Sequence, residues 1–321
     1  MTTFAKTEYT EDIKRSASGG VFYFLASYFI EKGGTVFGAV FDQNFNVKHT
    51  CAGSMDAVRP MQNSKYVQSD SRGVYKEVKS ILDSDPEAYV LFSGTPCQCS
   101  GLKSYLRKDY KNLLTADMVC HGVPSPLAFE KYLRYLSVRN KEAVKDYQFR
   151  YKLKGWNYRN FMSSYVKFNN NFWPVVHDPY MSAFLSQSDY RECCYSCEYN
   201  TTKKAADVTM ADFVGVRDIA PDFYSPVGCS ELYIHNQKGF DYLENIQPFI
   251  ECFELSLKQM KGYGKVLKEP RVRKPIRDRI YKDITTMSDK DFVEQRLRET
   301  ISPKRIVRFY TPLSVRRFFK H

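Results

Sequence analysis

Long apolar runs are missing from this 321-residue sequence. The longest, residues 21–30, is well short of the roughly 20 residues that a helix needs to cross a membrane, so we expect no transmembrane segment. Residues 1–15 lack the apolar core of a secretion signal, and we therefore expect a cytoplasmic protein. Repeats and low-complexity tracts are also absent. With 43% hydrophobic and 26% charged residues, the composition is that of a folded protein.

Several familiar functional patterns are absent as well. The turn Ser16–Gly20 is not the G-x-G-x-x-G fingerprint of dinucleotide-binding folds. No Ser-His-Asp or paired-carboxylate arrangement can be recognised, which gives hydrolysis little support. The net charge of +12 favours anionic partners, but the basic residues are dispersed and no nucleic-acid-binding motif accompanies them. We therefore expect no nucleic acid partner.

The sequence does contain short apolar runs that end in loops. Residues 89–92 and 113–119 are two such runs, and a helical pattern follows each of them. This alternation predicts an α/β fold, with a mixed, largely parallel sheet core and flanking helices. After Cys252 the strand pattern fades into basic, helical sequence. We therefore predict a main domain over residues 1–264 and a helical C-terminal appendage over residues 265–321.

Nine cysteines, with no recognisable secretion signal, favour metal ligands or redox centres over disulfides. Cys194 and Cys197 form a C-x-x-C pair that can reach one metal centre. Cys97 and Cys120 each follow one of the two predicted strands, whose carboxyl ends would share one edge of the sheet. Four thiolates suit either a tetrahedral zinc site or a [4Fe-4S] cluster, and the spacing alone leaves both open.

The other cysteines are less clearly placed. Cys99 and Cys193 lie beside the chosen ligands, so either could replace its neighbour. Cys51 and Cys252 stand alone and are expected to be small buried hydrophobic residues.

Two short segments could bind a phosphate. Ser18-Gly19-Gly20 opens an apolar helix whose free amides and positive end suit a phosphate or pyrophosphate, although a packed helix cap is an equal alternative. Ser64-Lys65-Tyr66 could hold a phosphate and stack on a ring, or could be a solvated loop. His121 could donate to a cluster sulfur or to a ring, or could simply cap a helix.

Several motifs, taken in order, resemble one known family. They include SASGGVF, VLFSGTPCQ, CHGVPSP, RECCYSC and ADVTMADF. The sequence is similar over about residues 15–285 to the coenzyme F420 hydrogenase/dehydrogenase beta-subunit family. The resemblance is to its bacterial branch, which is often associated with surface-polysaccharide gene clusters.

The resemblance implies a flavoprotein oxidoreductase that holds FAD and a [4Fe-4S] cluster and relays electrons between them. It assigns the cluster ligands as Cys97, Cys120, Cys194 and Cys197, which favours iron–sulfur over zinc. It assigns the flavin to Ser18-Gly19-Gly20, Ser64-Lys65-Tyr66 and Ser93-Gly94-Thr95-Pro96. The candidates for orienting the flavin phosphate or an anionic substrate are Lys65, His121, Arg150 and Lys152, although the last two could be a charged strand edge.

The sequence also departs from the family pattern. It begins without the ferredoxin-like segment of many relatives, so we expect an external electron donor, such as ferredoxin or a partner subunit, and a small-molecule acceptor. Ala211 and Val214 replace a glycine and a tryptophan of the family motif, which could reshape a pocket beside the flavin. A structural Zn(Cys)₄ module without redox function is the alternative interpretation.

Overall fold

The structure is a computed structural model that describes residues 2–6, 11–152, 156, 164–169, 171–175, 177–255 and 271–311. The chain forms two compact units. Unit 1 comprises Met1–His121, Lys152–Asn157 and Ser196–Pro270, and unit 2 comprises Gly122–Tyr151, Tyr158–Tyr195 and Arg271–His321. The predicted boundary at residues 264/265 lies outside the described residues.

The strands divide into two sheets. They are β1 (Thr2–Lys6), β2 (Thr35–Phe41), β3 (Val47–Ala52), β4 (Val90–Gly94), β5 (Leu113–Met118), β6 (Val144–Gln148), β7 (Ser164–Phe168), β8 (Asn171–Val175), β9 (Val208–Asp212), β10 (Ser230–Ile234) and β11 (Glu251–Leu255). Eight of them form the sheet of unit 1, in the order β11-β1-β10-β9-β5-β4-β2-β3, and β6-β7-β8 form an antiparallel sheet in unit 2.

The helices and helical turns connect these strands. They are α1 (Glu11–Arg15), α2 (Val21–Glu31), α3 (Met55–Val58), α4 (Val74–Ser84), α5 (Pro96–Leu106), α6 (Pro126–Asn140), α7 (Pro179–Leu185), α8 (Glu192–Tyr195), α9 (Val216–Ile219), α10 (Gln237–Ile246), α11 (Pro275–Asp283), α12 (Asp289–Asp291, continued by a π turn over Phe292–Leu297) and α13 (Pro303–Tyr310).

The centre of the large sheet is parallel. Strands β2, β4, β5 and β9 pair in parallel. The outer pairings are antiparallel: β3 with β2 on one side, and β10 with β9, β1 with β10 and β11 with β1 on the other. All residues of β4 are buried, as expected of a parallel strand covered on both faces. The arrangement confirms the predicted α/β fold with a parallel core.

Helices cover both faces of this sheet. Val21, Leu25 and Phe29 recur at every fourth position of α2 and pack with α10 against one face. Val74 and Val78 of α4 do the same with α5 on the other face. Each fully buried side chain of this size stabilises the fold by about 1.5–3 kcal/mol relative to an exposed one. The two cores hold the central strands, and hence their carboxyl ends, in fixed positions.

Unit 2 has a core of its own, rich in aromatic rings. Phe129 of α6 contacts Tyr147, Phe149 and Tyr180, with ring centroids 5.0–5.2 Å apart. Asp178 caps α7 by accepting the backbone amides of Tyr180 and Met181, and Tyr147 also donates to it. These contacts order the small sheet against α6 and α7.

The ends of the chain were predicted less well. Strand β11 lies where the sequence pattern fades, and it pairs with β1, at the other end of the chain. Among the described residues, no helix is both long enough and apolar enough to cross a membrane. The predicted helical character after residue 265 agrees with α11, α12 and α13.

Candidate functional site

Two of the predicted ligands lie at the same level of the sheet edge. Strands β4 and β5 are parallel neighbours in which Gly94 pairs with Asp117. Cys97 and Cys120 each follow three residues after this pair, beyond the carboxyl ends of their strands. Open α/β sheets bind ligands at this edge. The strand register therefore sets the starts of these two loops side by side at one edge of the sheet, as the sequence predicted.

Helix α5 fixes the position of Cys97. Thr95 and Gln98 form a capping box at its start, and Pro96 occupies the first turn. The Thr95 hydroxyl lies 3.1 Å from the Cys97 sulfur. Cys97 is exposed in the first turn of the helix, where the helix dipole favours an anionic group. The loop thus presents one accessible thiol at a defined place.

Cys99, the rival of Cys97, points elsewhere. Its side chain is fully buried among the core residues on the α4 and α5 face of the sheet. Burial raises the pKa of this thiol well above its ordinary value, which disfavours the thiolate that a metal requires. Cys51 is exposed, so the prediction that it is buried was wrong, and Cys252 is half-buried.

The C-x-x-C pair begins in the short helix α8. Cys194 and Cys197 are half-buried, whereas Cys193 is exposed. The backbone before α8 is held in unit 2, where the Arg191 amide donates to Val123 and Tyr190 bridges to Pro124. Residues just after Cys120 in the chain are thereby paired with residues just before Cys194.

Gly122 is required in this pairing. Its φ is +142°, and a Cβ atom added there would lie 2.4 Å from the ring of Tyr190. Only glycine combines this backbone conformation with so close a neighbour. The CHG motif therefore has a structural reason for its glycine, apart from any role of Cys120 or His121.

The four thiols fit a metal cluster by chemistry. None of the nine cysteines forms a disulfide, and four half-buried or exposed thiols suit an iron–sulfur cluster. Within the described part of the chain, however, no three Cys, His, Asp or Glu side chains are grouped closely enough to hold one metal ion. Cys97, Cys120 and Cys197 belong to unit 1 and Cys194 belongs to unit 2.

The first predicted flavin segment lies at the amino end of α2. Gly20 adopts φ +87° there, and no side chain caps the helix. The Ser18 hydroxyl donates to the Cys229 carbonyl, and the Gly19 amide donates to the Ser230 hydroxyl. Because α2 runs back along β2 through a short turn, its first amides lie at the carboxyl edge of the sheet. Such amides are a ready site for phosphate groups.

A polar loop links this helix start to α5. Gln62 donates to the Ser16 hydroxyl, and Gln98 of α5 donates to Ser69 at the far end of the same loop. The half-buried Ser64-Lys65-Tyr66 lies between these two anchors. The Ser93-Gly94-Thr95-Pro96 turn is held at one end by His49, whose Nε2 lies 3.0 Å from the Ser93 carbonyl oxygen. The hydrogen bonds of Gln62 and Gln98 thus connect the loop that carries Ser64-Lys65-Tyr66 to the turn before α2 and to the start of α5.

The two predicted lysines bond to the backbone. The Lys65 ammonium donates to the carbonyls of residues 60, 62 and 63, and the Lys152 ammonium donates to those of residues 13, 18 and 227. An ammonium has three donors, so a ligand would have to replace one of these bonds. Lys152 holds the Ser18 turn in place. His121 is half-buried in the loop after Cys120, and Arg150 is half-buried just after β6.

A buried chain of polar side chains lies beneath this edge and was not predicted from the sequence. Thr209 of β9 donates to one carboxyl oxygen of Asp117, and its hydroxyl lies 2.8 Å from Nε2 of His235. The second oxygen of Asp117 accepts no hydrogen bond from the described residues. Burial raises the pKa of Asp117 to about 7 and lowers that of His235 to about 4. An acidic residue inside the apolar run 113–119 was the available signal.

A second carboxylate, Asp207, connects the same elements. It accepts hydrogen bonds from Lys103, Thr115 and Asn236, and is fully buried. Burial would raise the pKa of Asp207, but the neighbouring ammonium groups of Lys103 and Lys238 hold it below its ordinary value. Through these contacts Asp207, which directly precedes β9, connects α5 with β5 and with the start of α10.

The chain matches a known family over more than half of its length. Residues 88–255 fit the family model that describes the carboxyl-terminal part of the beta subunit of coenzyme F420 hydrogenase/dehydrogenase. The chain belongs to this family. It is therefore related to hydrogenase and dehydrogenase subunits. No curated protein matches the chain.

A solved structure supports the same fold. A chain of the xenon-derivatised F420-reducing [NiFe] hydrogenase complex from Methanosarcina barkeri superposes with a TM-score of 0.55 and 16% identity. The match covers 92% of this chain and 91% of that one. At this identity the likeness concerns the fold. The matched family region contains Cys97, Cys120, Cys194 and Cys197.

Proposed function

We propose that this protein is an iron–sulfur flavoprotein oxidoreductase of the coenzyme F420 hydrogenase/dehydrogenase beta-subunit family. A [4Fe-4S] cluster would be held by Cys97, Cys120, Cys194 and Cys197. FAD would lie against the Ser18–Gly20, Ser64–Tyr66 and Ser93–Pro96 segments. Bound flavin supplies both one-electron and hydride chemistry, which would connect the cluster to a small-molecule acceptor.

The observation that carries the proposal is the register of β4 and β5. It gives Cys97 and Cys120 equivalent positions at the carboxyl edge of two parallel strands. Cys97 is exposed in the first turn of α5, while its rival Cys99 is sealed in the core. A cluster ligand must be accessible and deprotonated, and only Cys97 of these two meets the first condition.

The flavin assignment is supported by a separate set of contacts. The uncapped amino end of α2 offers amides to a pyrophosphate, and Lys152 and Ser18 fix the turn that precedes it. The 62–69 loop joins this turn to the start of α5. FAD bound along this path would reach the edge at which Cys97 is exposed.

An electron donor is part of the proposal. We infer a donor protein such as ferredoxin, or a partner subunit, because the cysteines assigned here supply ligands for one cluster. The acceptor would be a small molecule, and intermediates of surface-polysaccharide biosynthesis are the first group to test.

The test is anaerobic preparation of the full chain, with iron, acid-labile sulfide and flavin analysis. We expect about four iron and four sulfide per chain, one FAD, and a visible spectrum that bleaches on reduction. Cys194→Ser should lose most of the iron. Cys193→Ser, at the exposed neighbouring position, is the matched control and should retain it.

Other outcomes would point elsewhere. One zinc per chain without flavin would replace the proposal with a structural Zn(Cys)₄ module. A protein that remains colourless and free of iron after reconstitution would rule out the cluster. Iron without FAD would retain the cluster assignment and remove the flavin.

A further inference from the structure

Unit 2 contains a cavity away from all the cysteines. Its volume is about 200 Å³. It is lined by residues of α6, of the β8–α7 connection and of the turn that follows α12: Tyr132, Tyr135, Leu136, Arg139, Val175, His177, Pro179, Arg298 and Ile301. None of these nine residues was predicted to be functional, and none belongs to the proposed cluster or flavin sites.

The charged lining residues are basic. Arg139 and Arg298 are exposed, His177 is half-buried, and none of the nine residues is acidic. Arg298 donates to the Tyr135 hydroxyl at 3.5 Å, and that hydroxyl donates to Glu294, which is the nearest carboxylate in this chain of contacts. Within the described part of the chain, neither arginine forms an ion pair with a carboxylate.

Other arginines of unit 2 are arranged differently. Arg134, Arg273, Arg277, Arg279 and Arg296 each lie within ion-pair distance of an aspartate or glutamate. Arg139 and Arg298 differ from these arginines in two ways. Both line the cavity, and among the described residues no carboxylate pairs with their guanidinium groups. A guanidinium presents its donors in a fork that matches the two oxygens of a carboxylate or phosphate.

The rest of the lining is apolar. Tyr132, Tyr135 and Leu136 are buried on α6, and Pro179 is buried at the start of α7. A dry cavity of about 150 Å³ accommodates benzene, so about 200 Å³ suits a ring or short branched chain with one acidic group. Basic groups at the rim and apolar side chains inside are the usual composition of a site for a small amphipathic anion.

We propose that this cavity binds a small organic oxyanion, a carboxylate or phosphate monoester attached to a compact apolar group. Arg139 and Arg298 contact the anionic end, and Tyr135, Leu136 and Ile301 contact the apolar end. His177 lines the same cavity and adds a polar ring to its wall. The site is independent of the proposed redox function.

Ligand-observed saturation-transfer NMR on the full chain tests this site. The observed probes are phenyl phosphate, benzoate and the neutral benzyl alcohol, and inorganic phosphate, which has no carbon-bound protons, is measured as a competitor of phenyl phosphate. We expect phenyl phosphate or benzoate to bind saturably, at least tenfold more tightly than benzyl alcohol or inorganic phosphate. The doubly substituted Arg139→Gln/Arg298→Gln protein should bind the anionic probe at least tenfold more weakly.

A matched control separates the site from overall charge. Lys282 and Lys290 are exposed on the same unit but do not line the cavity. Lys282→Gln/Lys290→Gln removes the same two charges and should leave binding unchanged. The proposal is overturned if no probe saturates, if both double variants lose binding equally, or if benzyl alcohol binds as tightly as the anions. It is also overturned if inorganic phosphate binds as tightly as phenyl phosphate.

Discussion

Asp117 is a buried acid with one carboxyl oxygen unsatisfied by the described residues. The groups that face it are Thr209, Cys99 and the more distant ammonium groups of Lys103 and Lys204. Neither lysine compensates for burial, since the pKa of Asp117 rises from 3.8 to about 7. A protonated Asp117 can donate to the Thr209 hydroxyl, which can then donate to a neutral His235. The hydrogen bonds between Asp117, Thr209 and His235 can therefore run in either direction, depending on whether Asp117 is protonated.

We predict a characteristic pH dependence for Asp117→Asn. Between pH 3.8 and about 7 the folded protein holds a proton that the unfolded chain has released, so Asp117 lowers stability progressively as the pH rises. The variant lacks this loss. Its stability relative to wild type should therefore increase, with the free energy of unfolding rising by about 2–3 kcal/mol relative to that of wild type from pH 5 to pH 8. Urea unfolding at both pH values measures the change.

Glu231 is a second buried acid, and its titration does not affect the comparison of Asp117→Asn with wild type. Its pKa is also raised to about 7 by burial, but it titrates in both proteins and cancels in the comparison. A difference between variant and wild type that does not change with pH would contradict the assignment of a buried, protonated Asp117.

Gly122 is a second residue whose effect can be calculated from its surroundings. Gly122→Ala places a Cβ against the Tyr190 ring at φ +142°. We expect a loss of about 2–3 kcal/mol in the free energy of unfolding, from backbone strain and steric overlap together. Gly53→Ala is the control, because no atom lies within 4 Å of its added Cβ. Equal effects of the two substitutions in urea unfolding would show that Tyr190 is not a constraint.

Among the elements, strands buried on both faces were the easiest to predict. β4 and β5 each begin with a buried apolar run, and the periodic residues of α4 and α10 are equally clear in the sequence. β11 was missed because its pattern of buried and exposed residues is irregular and its partner, β1, lies at the other end of the chain. Local sequence carries no information about such a pairing.

Helix α5 allows a sharp test of which cysteine is a cluster ligand. Its capping box holds Cys97 exposed in the first turn, and two residues later Cys99 packs in the core. We predict that Cys97→Ser loses iron without a large change in stability. Cys99→Ser should retain iron and lose about 1–3 kcal/mol of unfolding free energy, because a hydroxyl is buried without a guaranteed partner.

Iron content and urea unfolding of both variants are the measurements. Cys252→Ser, at a half-buried position in β11, controls for the chemistry of the substitution. Loss of iron in Cys99→Ser alone would make Cys99 the ligand and overturn the choice of Cys97.

Over the whole molecule, the assignment of Cys97, Cys120, Cys194 and Cys197 as cluster ligands stays a prediction, and the division of the chain into two units was not predicted. The four thiols are separated by up to 100 positions, and the boundary between units 2 and 1 falls between Tyr195 and Ser196, inside the C-x-x-C segment. The Asp117–Thr209–His235 chain depends on the register of β5 with β9, and hydropathy does not specify that register. Residue type can suggest a ligand, whereas the contacts between distant segments follow from the topology.

The net charge of +12 is a property of the whole chain and would attract an acidic electron donor of the proposed kind. An acidic donor protein such as ferredoxin would be attracted over distances of about 10 Å or less at 0.1 M salt, where screening becomes strong. We predict that the second-order rate of reduction by an acidic ferredoxin falls at least tenfold between low salt and 0.5 M KCl. Stopped-flow spectroscopy under anaerobic conditions measures it.

A neutral small-molecule reductant is the control, because its encounter with the protein gains nothing from charge. Its rate should change less than twofold over the same salt range. If the ferredoxin rate is equally insensitive to salt, the positive charge does not guide the donor. If both rates fall together, salt acts on the redox centre itself, and the basic surface must serve another anionic partner.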